Sequence, residues 1–397
     1  LGDVYKRQVN TLAGSEGTVV QGGVTFAGTT ALALAASIAD HALVSQQEAG
    51  VGTMDVTSTL RIYNQELNGS GDIGIVDSDV AMSGNTAQAT GRANDADNLL
   101  SLAANTLGAT GALTNAQLSD TAVGSTATGN ISLQMNAQDT DSDVSALQAS
   151  TANLDGNQVL ASSGGNRASN ELALDASAGY GALTISAAIA NLSSSGPQVT
   201  DAPFGLASYQ GNTADIGADA EGSVLAEFAS NEASVVNGST VTVNENVFDA
   251  SATANAVSNL MEERASAGGN ASLAMTNGQI NEGSVTSNAG TSTTPLSLSI
   301  AATGDVAGTS DAIIVDSALS VLDNLMLATA RGNDATNVMD AEVGPQTTAN
   351  TSGAATASQV GGVESTSATY ALLSGQQRNG TGEDITANSY GEVAVSA

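Results

Sequence analysis

The chain has no cysteine, no tryptophan, four prolines, one histidine and only 3% aromatic residues. Without cysteine there are no disulfides, no zinc fingers and no thiol nucleophile. So few large side chains exclude an ordinary globular core. Positive charge is as scarce: eight Lys and Arg stand against 40 Asp and Glu, a formal charge of −32. That balance excludes binding to nucleic acid or to anionic lipid. It reads instead as a solvated acidic surface that keeps a repetitive chain soluble and discourages edge-to-edge stacking. Nor is there a run of 18 apolar residues, so nothing reads as a transmembrane helix.

Ala, Ser, Thr, Asn and Gly fill the chain instead, and the mean hydropathy is +0.03. That is too apolar for ordinary disorder, so the composition implies a narrow core of small side chains. The order of these residues carries the clearest signal. A pattern opens with Asn85, places Asn94 nine positions on and closes with Asn98. It returns as Asn157, Asn166, Asn170, then Asn246, Asn255, Asn259, then Asn324, Asn333, Asn337. Between the first two Asn of each copy, mostly small apolar residues alternate with polar ones: Ala87, Ala89, Gly91, Ala93 in the first copy and Phe248, Ala250, Ala252, Ala254 in the third. Period two predicts a strand with one face in and one face out. At the second Asn the phase flips, so that Ala96, Ala168, Val257 and Ala335 point inward next; Gly-Asn or Ala-Asn there predicts a sharp bend.

A second box, Ala-Leu-Thr-Asn-Ala-Gln117 and its kin, sets Gln47, Gln117, Gln198, Gln279 and Gln359 as equivalent positions. Together the boxes predict an all-β fold, a parallel β-solenoid built from degenerate repeats of about 80 residues, with tandem small β-sandwich repeats as the alternative. The repeats run over 41–111, 112–190, 191–272 and 273–352, with a partial fifth over 353–397. Residues 9–40 form a lead-in, with short strands at Thr18–Val20 and Gly23–Ala27 and an Ala-rich run at 31–39 suited to a helix. Residues 1–8 hold the only Lys and resemble adapter-derived sequence. Solenoid turns of about 20 to 25 residues would put three or four coils in each repeat, and the whole would form a rod about 80 to 90 Å long. Asn at equivalent corners would stack into amide ladders.

No catalytic cluster is legible. His41 has no partner at a motif spacing, and Arg92, Arg167 and Arg331 belong to the repeat. The sequence assigns no cofactor. Asp139, Asp141 and Asp143 resemble the start of a calcium loop, but Val144 stands where its Gly belongs and Ser150 stands where a closing Glu would be, so a solvated turn is the better reading.

The boxes ending at Gln117 and Gln279, together with residues 250–259 and 126–130, resemble the repetitive holdfast-anchoring adhesins of stalked alphaproteobacteria, the D-type anchor protein. The resemblance spans most of residues 40–397. It implies a non-enzymatic, secreted protein on the bacterial outer membrane that fastens adhesive polysaccharide to the envelope. Its expected partners are that polysaccharide and outer-membrane anchor or secretion proteins, with self-association a further option. Two alternatives stand beside it: a self-assembling, amyloid-like fibre subunit, and a polysaccharide-degrading β-helix with carboxylates and Arg in one groove.

Overall fold

The computed structural model describes residues 6–13, 22–27, 34–66, 74–137, 145–181, 188–192, 198–230, 234–266, 272–304, 313–344, 355–358, 365–368, 370–378 and 384–396. Every regular element among them is a β-strand. The strands wind into a parallel β-solenoid of five successive coils. Each coil has a broad face and a ladder face. The broad face begins with His41–Glu66 in coil one and Gly111–Ala137 in coil two. It continues with Phe204–Asn212 and Ile216–Ser230 in coil three, with Leu273–Asn281, Val285–Ala289 and Leu296–Gly304 in coil four, and with Tyr370–Arg378, Ile385–Ser389 and Gly391–Ser396 in coil five. The ladder face is Thr86–Ala104, Gln158–Ala176, Val247–Ala265 and Leu325–Val343, with Lys6–Ala13 parallel to the first of these. Two narrow sheets of two- and three-residue strands turn the chain from one face to the other.

The coil is far larger than the sequence suggested. Asn85 lies one residue outside a register that pairs Thr86 with Gln158 and then Gln158 with Val247. One repeat is therefore one coil, not three or four. Five coils at about 4.8 Å each stack only about 20 Å high, and the rod of 80 to 90 Å is overturned. A ladder-face strand alone has 19 residues, about 60 Å of backbone path. The small inward residues do not mark a slender tube. They mark two wide faces held close together.

The uneven period has a structural cause. The connections entering coils two and four are short (105–110 and 266–272). Those entering coils one, three and five each carry a β-hairpin: Gly22–Ala27 with Leu34–Ala39, Ala188–Leu192 with Gln198–Ala202, and Ala355–Ser358 with Ser365–Ala368. The three hairpins join edge to edge into one six-stranded antiparallel sheet beside the broad face. A hairpin is two strands wide, about the rise of two coils, so one hairpin on every second coil keeps this side sheet in step with the stack. The Ala-rich run at 31–39 is thus a strand from Leu34 on, not a helix, because both of its edges are paired. The segment Gly23–Ala27 is a strand as expected. Thr18–Val20 lies outside the described residues.

Alternation reaches the residue level. Coils one, three and five enter the broad face with Leu43-Val-Ser45, Leu206-Ala-Ser208 and Leu372-Leu-Ser374; coils two and four enter with Leu113-Thr-Asn115 and Met275-Thr-Asn277. The side sheet covers this segment from outside, so Phe204–Asn212 is almost wholly buried on both faces. Two apolar clusters fill the interior. The larger includes Ala87, Ile131, Val159, Phe228, Phe248 and Ile300; the smaller gathers Leu100, Leu102, Leu113, Leu172, Phe204 and Met261 at the other end of the coil. A polar belt separates them.

Candidate functional site

The bend in each ladder-face strand builds that belt. Burial alternates along Gln158–Ala176 until Gly165 and Asn166, which are buried consecutively, and then resumes in the opposite phase. Gly165 must be small: a Cβ there would lie 2.6 Å from the Ala254 carbonyl oxygen. The flip turns the second and third Asn inward together. Just before the opening Asn, the backbone is left-handed at Gly84, Gly156, Glu245 and Asp323, which aims the Asn side chain along the stack.

All twelve Asn lie in three columns that run through coils one to four. In the first, Asn85 donates to Asn157 Oδ1 at 2.9 Å, Asn157 to Asn246 at 2.9 Å and Asn246 to Asn324 at 3.0 Å. The second links Asn94, Asn166, Asn255 and Asn333 at 2.7, 2.8 and 2.8 Å. The third links Asn98, Asn170, Asn259 and Asn337 at 2.7, 2.8 and 2.7 Å. Asn166, Asn170, Asn246, Asn255 and Asn259 are buried. An amide can do this in dry surroundings because it both donates and accepts, so each satisfies its neighbour's group as well as its own.

A glutamine column stands opposite on the broad face. Gln117 donates to Gln47, Gln210 to Gln117, Gln279 to Gln210 and Gln376 to Gln279, at 2.7, 2.7, 2.8 and 3.0 Å. Each Gln from coil one to coil four also donates across the interior to a ladder-face carbonyl, those of Asp95, Arg167, Ala256 and Asp334. These bonds pin the two faces together through the belt. Gln198 is not in the column: its strand belongs to the side sheet. Gln359 lies outside the described residues. Their places are taken by Gln210 and Gln376, because the steps are 70, 93, 69 and 97 residues rather than a uniform 80. Over two coils the period is regular: 163, 162 and 166 residues separate Gln47 from Gln210, Gln117 from Gln279 and Gln210 from Gln376. That two-coil period was the available signal. The Asn columns donate toward higher coils and the Gln column toward lower ones, so their aligned amide dipoles oppose each other.

The arginines are stacked with acids. Asp95, largely buried at the bend, binds Arg92 at 3.1 Å and Arg167 at 2.9 Å; Arg331 binds Asp334 at 2.5 Å. Arg264 lies among Glu262, Asp340 and Glu342; hydrogen bonding to Asp340 raises its pKa further. Arg264 and Glu342 line an open surface groove with Asp175 and Ser266. Deeper in, Glu263 is fully buried where other coils place Leu102 and Leu174. Tyr370 donates to it at 2.8 Å. The Tyr180 hydroxyl lies within its electrostatic reach without meeting hydrogen-bond geometry, and burial first, then the Glu263 charge, push that phenol upward. Tyr180 also packs its ring against Phe204, with centroids 5.8 Å apart. His41 opens coil one opposite Gly111. The acidic run Asp139–Asp143 lies outside the described residues. Among the described residues no three His, Cys, Asp or Glu side chains converge as metal ligands, and no helix is long and apolar enough to cross a membrane.

No protein-family model, characterised protein or solved structure matches the chain. Its own geometry is four amide columns that lock coil to coil, enclosed by two faces whose outward rows mix polar, acidic and small apolar side chains.

Proposed function

We propose that the chain is a structural, extracellular scaffold that anchors or presents adhesive polysaccharide at a bacterial envelope. The observation that carries this reading is the set of amide columns, which commits the interior polar groups to holding one coil on the next. What remains for a partner is the outside. There, rows such as Thr57, Thr126, Asp219, Asn288 and Asn388 repeat hydroxyl, amide and carboxylate groups across neighbouring coils, a spacing of about 4.8 Å that suits a repeating hydroxylated polymer. In this role the protein is secreted, is held by outer-membrane anchor or secretion proteins, and performs no chemistry. Deleting its gene should make cells shed their adhesive, while washed wild-type envelopes should keep the protein bound. Unchanged retention in the deletion strain would refute the role.

A second reading, cleavage of an extracellular polysaccharide, is favoured by the groove of Asp175, Arg264 and Glu342. It requires release of reducing ends or unsaturated products from an acidic polysaccharide, and loss of that release in Glu342→Gln. The scaffold reading expects no release from either protein.

A further inference from the structure

The broad-face row that meets the third Asn column alternates in size. It runs Ser45, Asn115, Ser208, Asn277 and Ser374, stacked coil on coil. Its interior members Asn115, Ser208 and Asn277 are 0%, 0% and 1% exposed. Across the belt, Asn98 donates to Asn115 Oδ1 at 3.3 Å, and Asn170 donates to the Ser208 hydroxyl at the same 3.3 Å. The serine hydroxyl thus takes the part of an Asn oxygen, and what Ser208 lacks is the NH2 group. In the Asn columns that group donates to the Oδ1 of the next coil. In this row the next coil presents Asn277 Oδ1, which is buried and has no hydrogen-bond partner among the described residues. Asn277 Nδ2 is turned to Ser374 on the coil above, 3.5 Å away, so its oxygen is turned toward Ser208. On the other side of Ser208, Asn115 Nδ2 is likewise buried and without such a partner. An amide atom buried in this way bears its full desolvation cost.

We propose that Ser208 is an internal hydration site, where bound water takes the place of the NH2 group that an asparagine would supply. The water accepts from the Ser208 hydroxyl and donates to Asn277 Oδ1, while Asn115 Nδ2 donates into the same coil from below. Buried water commonly makes about three such bonds to groups that the chain itself does not satisfy. A cation suits the position poorly, because Asn115 presents an N–H there. The row is then a mixed ladder of amide, hydroxyl and water. Its two-coil repeat keeps step with the hairpins: Ser stands on coils one, three and five, which a hairpin enters, and Asn on coils two and four.

The test is water oxygen-17 relaxation dispersion on the whole folded chain, which reports water held longer than the protein takes to tumble. Ser208→Asn supplies the NH2 group from the protein, so the long-lived signal should fall by at least about one water per chain while circular dichroism stays unchanged. A folded variant with an undiminished signal overturns the proposal. Should the variant misfold, a high-resolution crystal structure of the wild-type chain decides the matter. Solvent density within hydrogen-bond distance of Ser208 Oγ and Asn277 Oδ1 is expected. No density there, or Asn277 turned so that Oδ1 meets a donor of the chain itself, overturns it.

Discussion

Asn170 accepts from Asn98, donates to Asn259 and lies within 3.3 Å of the Ser208 hydroxyl, all in a buried setting. Removing its amide leaves groups on two neighbouring coils unsatisfied. Asn170→Ala should therefore lower stability by about 2 to 3 kcal/mol in urea unfolding, whereas Asn337→Ala, at the edge, should cost less than about 1 kcal/mol. Equal costs would mean the columns are not cooperative. Glu245 offers a gain. It holds the left-handed backbone, φ 56°, that Gly84 and Gly156 hold in coils one and two. Glu245→Gly should stabilise by a few tenths to about 1 kcal/mol, since relief of Cβ strain exceeds the entropy lost with Gly. Tyr180 predicts a pH dependence. Burial and Glu263 raise its folded pKa above the ordinary 10, so its contribution is intact below about pH 10 and is lost as pH rises, when the unfolded phenol ionises first. Stability should fall by up to about 1.4 kcal/mol per pH unit above about pH 10 from this group. Urea midpoints taken between pH 8 and 11 should show a smaller decline in Tyr180→Phe.

At the scale of the element, the hairpins decide the rhythm of the coils. The middle hairpin connects the outer two through Ile189 to Leu192 against Ala35 to Ile38, and through Gln198 to Thr200 against Thr356 to Ser358. Its last residue, Ala202, packs with Ala116, Ala207 and Ala274. Excising residues 188–201 should split the side sheet while leaving the ladders in register. Hydrogen exchange is expected to speed up in Leu34–Ala39 and Ala355–Ser358 and to stay slow in Gln158–Ala176 and Val247–Ala265. General loss of protection would show that the side sheet, not the amide columns, holds the stack.

For the whole molecule, charge and stacking pull against each other. Parallel coils can bring outward carboxylates into neighbouring positions, as at Glu262 beside Asp340. At a net −32, repulsion should outweigh the ion pairs around Arg264 and Arg331, which are surface-exposed and weak. Raising ionic strength from 0.01 to 0.3 M shortens the screening length from about 30 Å to under 10 Å, so the thermal midpoint should rise. A fall would give the balance to the ion pairs.

The sequence by itself determined the strand class, the inward alanines, the bend at the second Asn and the membership of all twelve Asn in equivalent positions. Each follows from a local rule: period two, the phase flip, and the conformational freedom of Gly and Asn. It also placed Gln47, Gln117 and Gln279 correctly, because their boxes are similar in letters. Only the tertiary structure decided the size of a coil, since the residue that stacks on Asn85 is fixed by hydrogen bonding between distant segments and not by any local pattern. The same holds for Gln210 and Gln376. They enter the column only after a hairpin has been looped out to pair elsewhere, and a hairpin's width matches two coils, a matter of strand spacing in three dimensions that a one-coil period conceals.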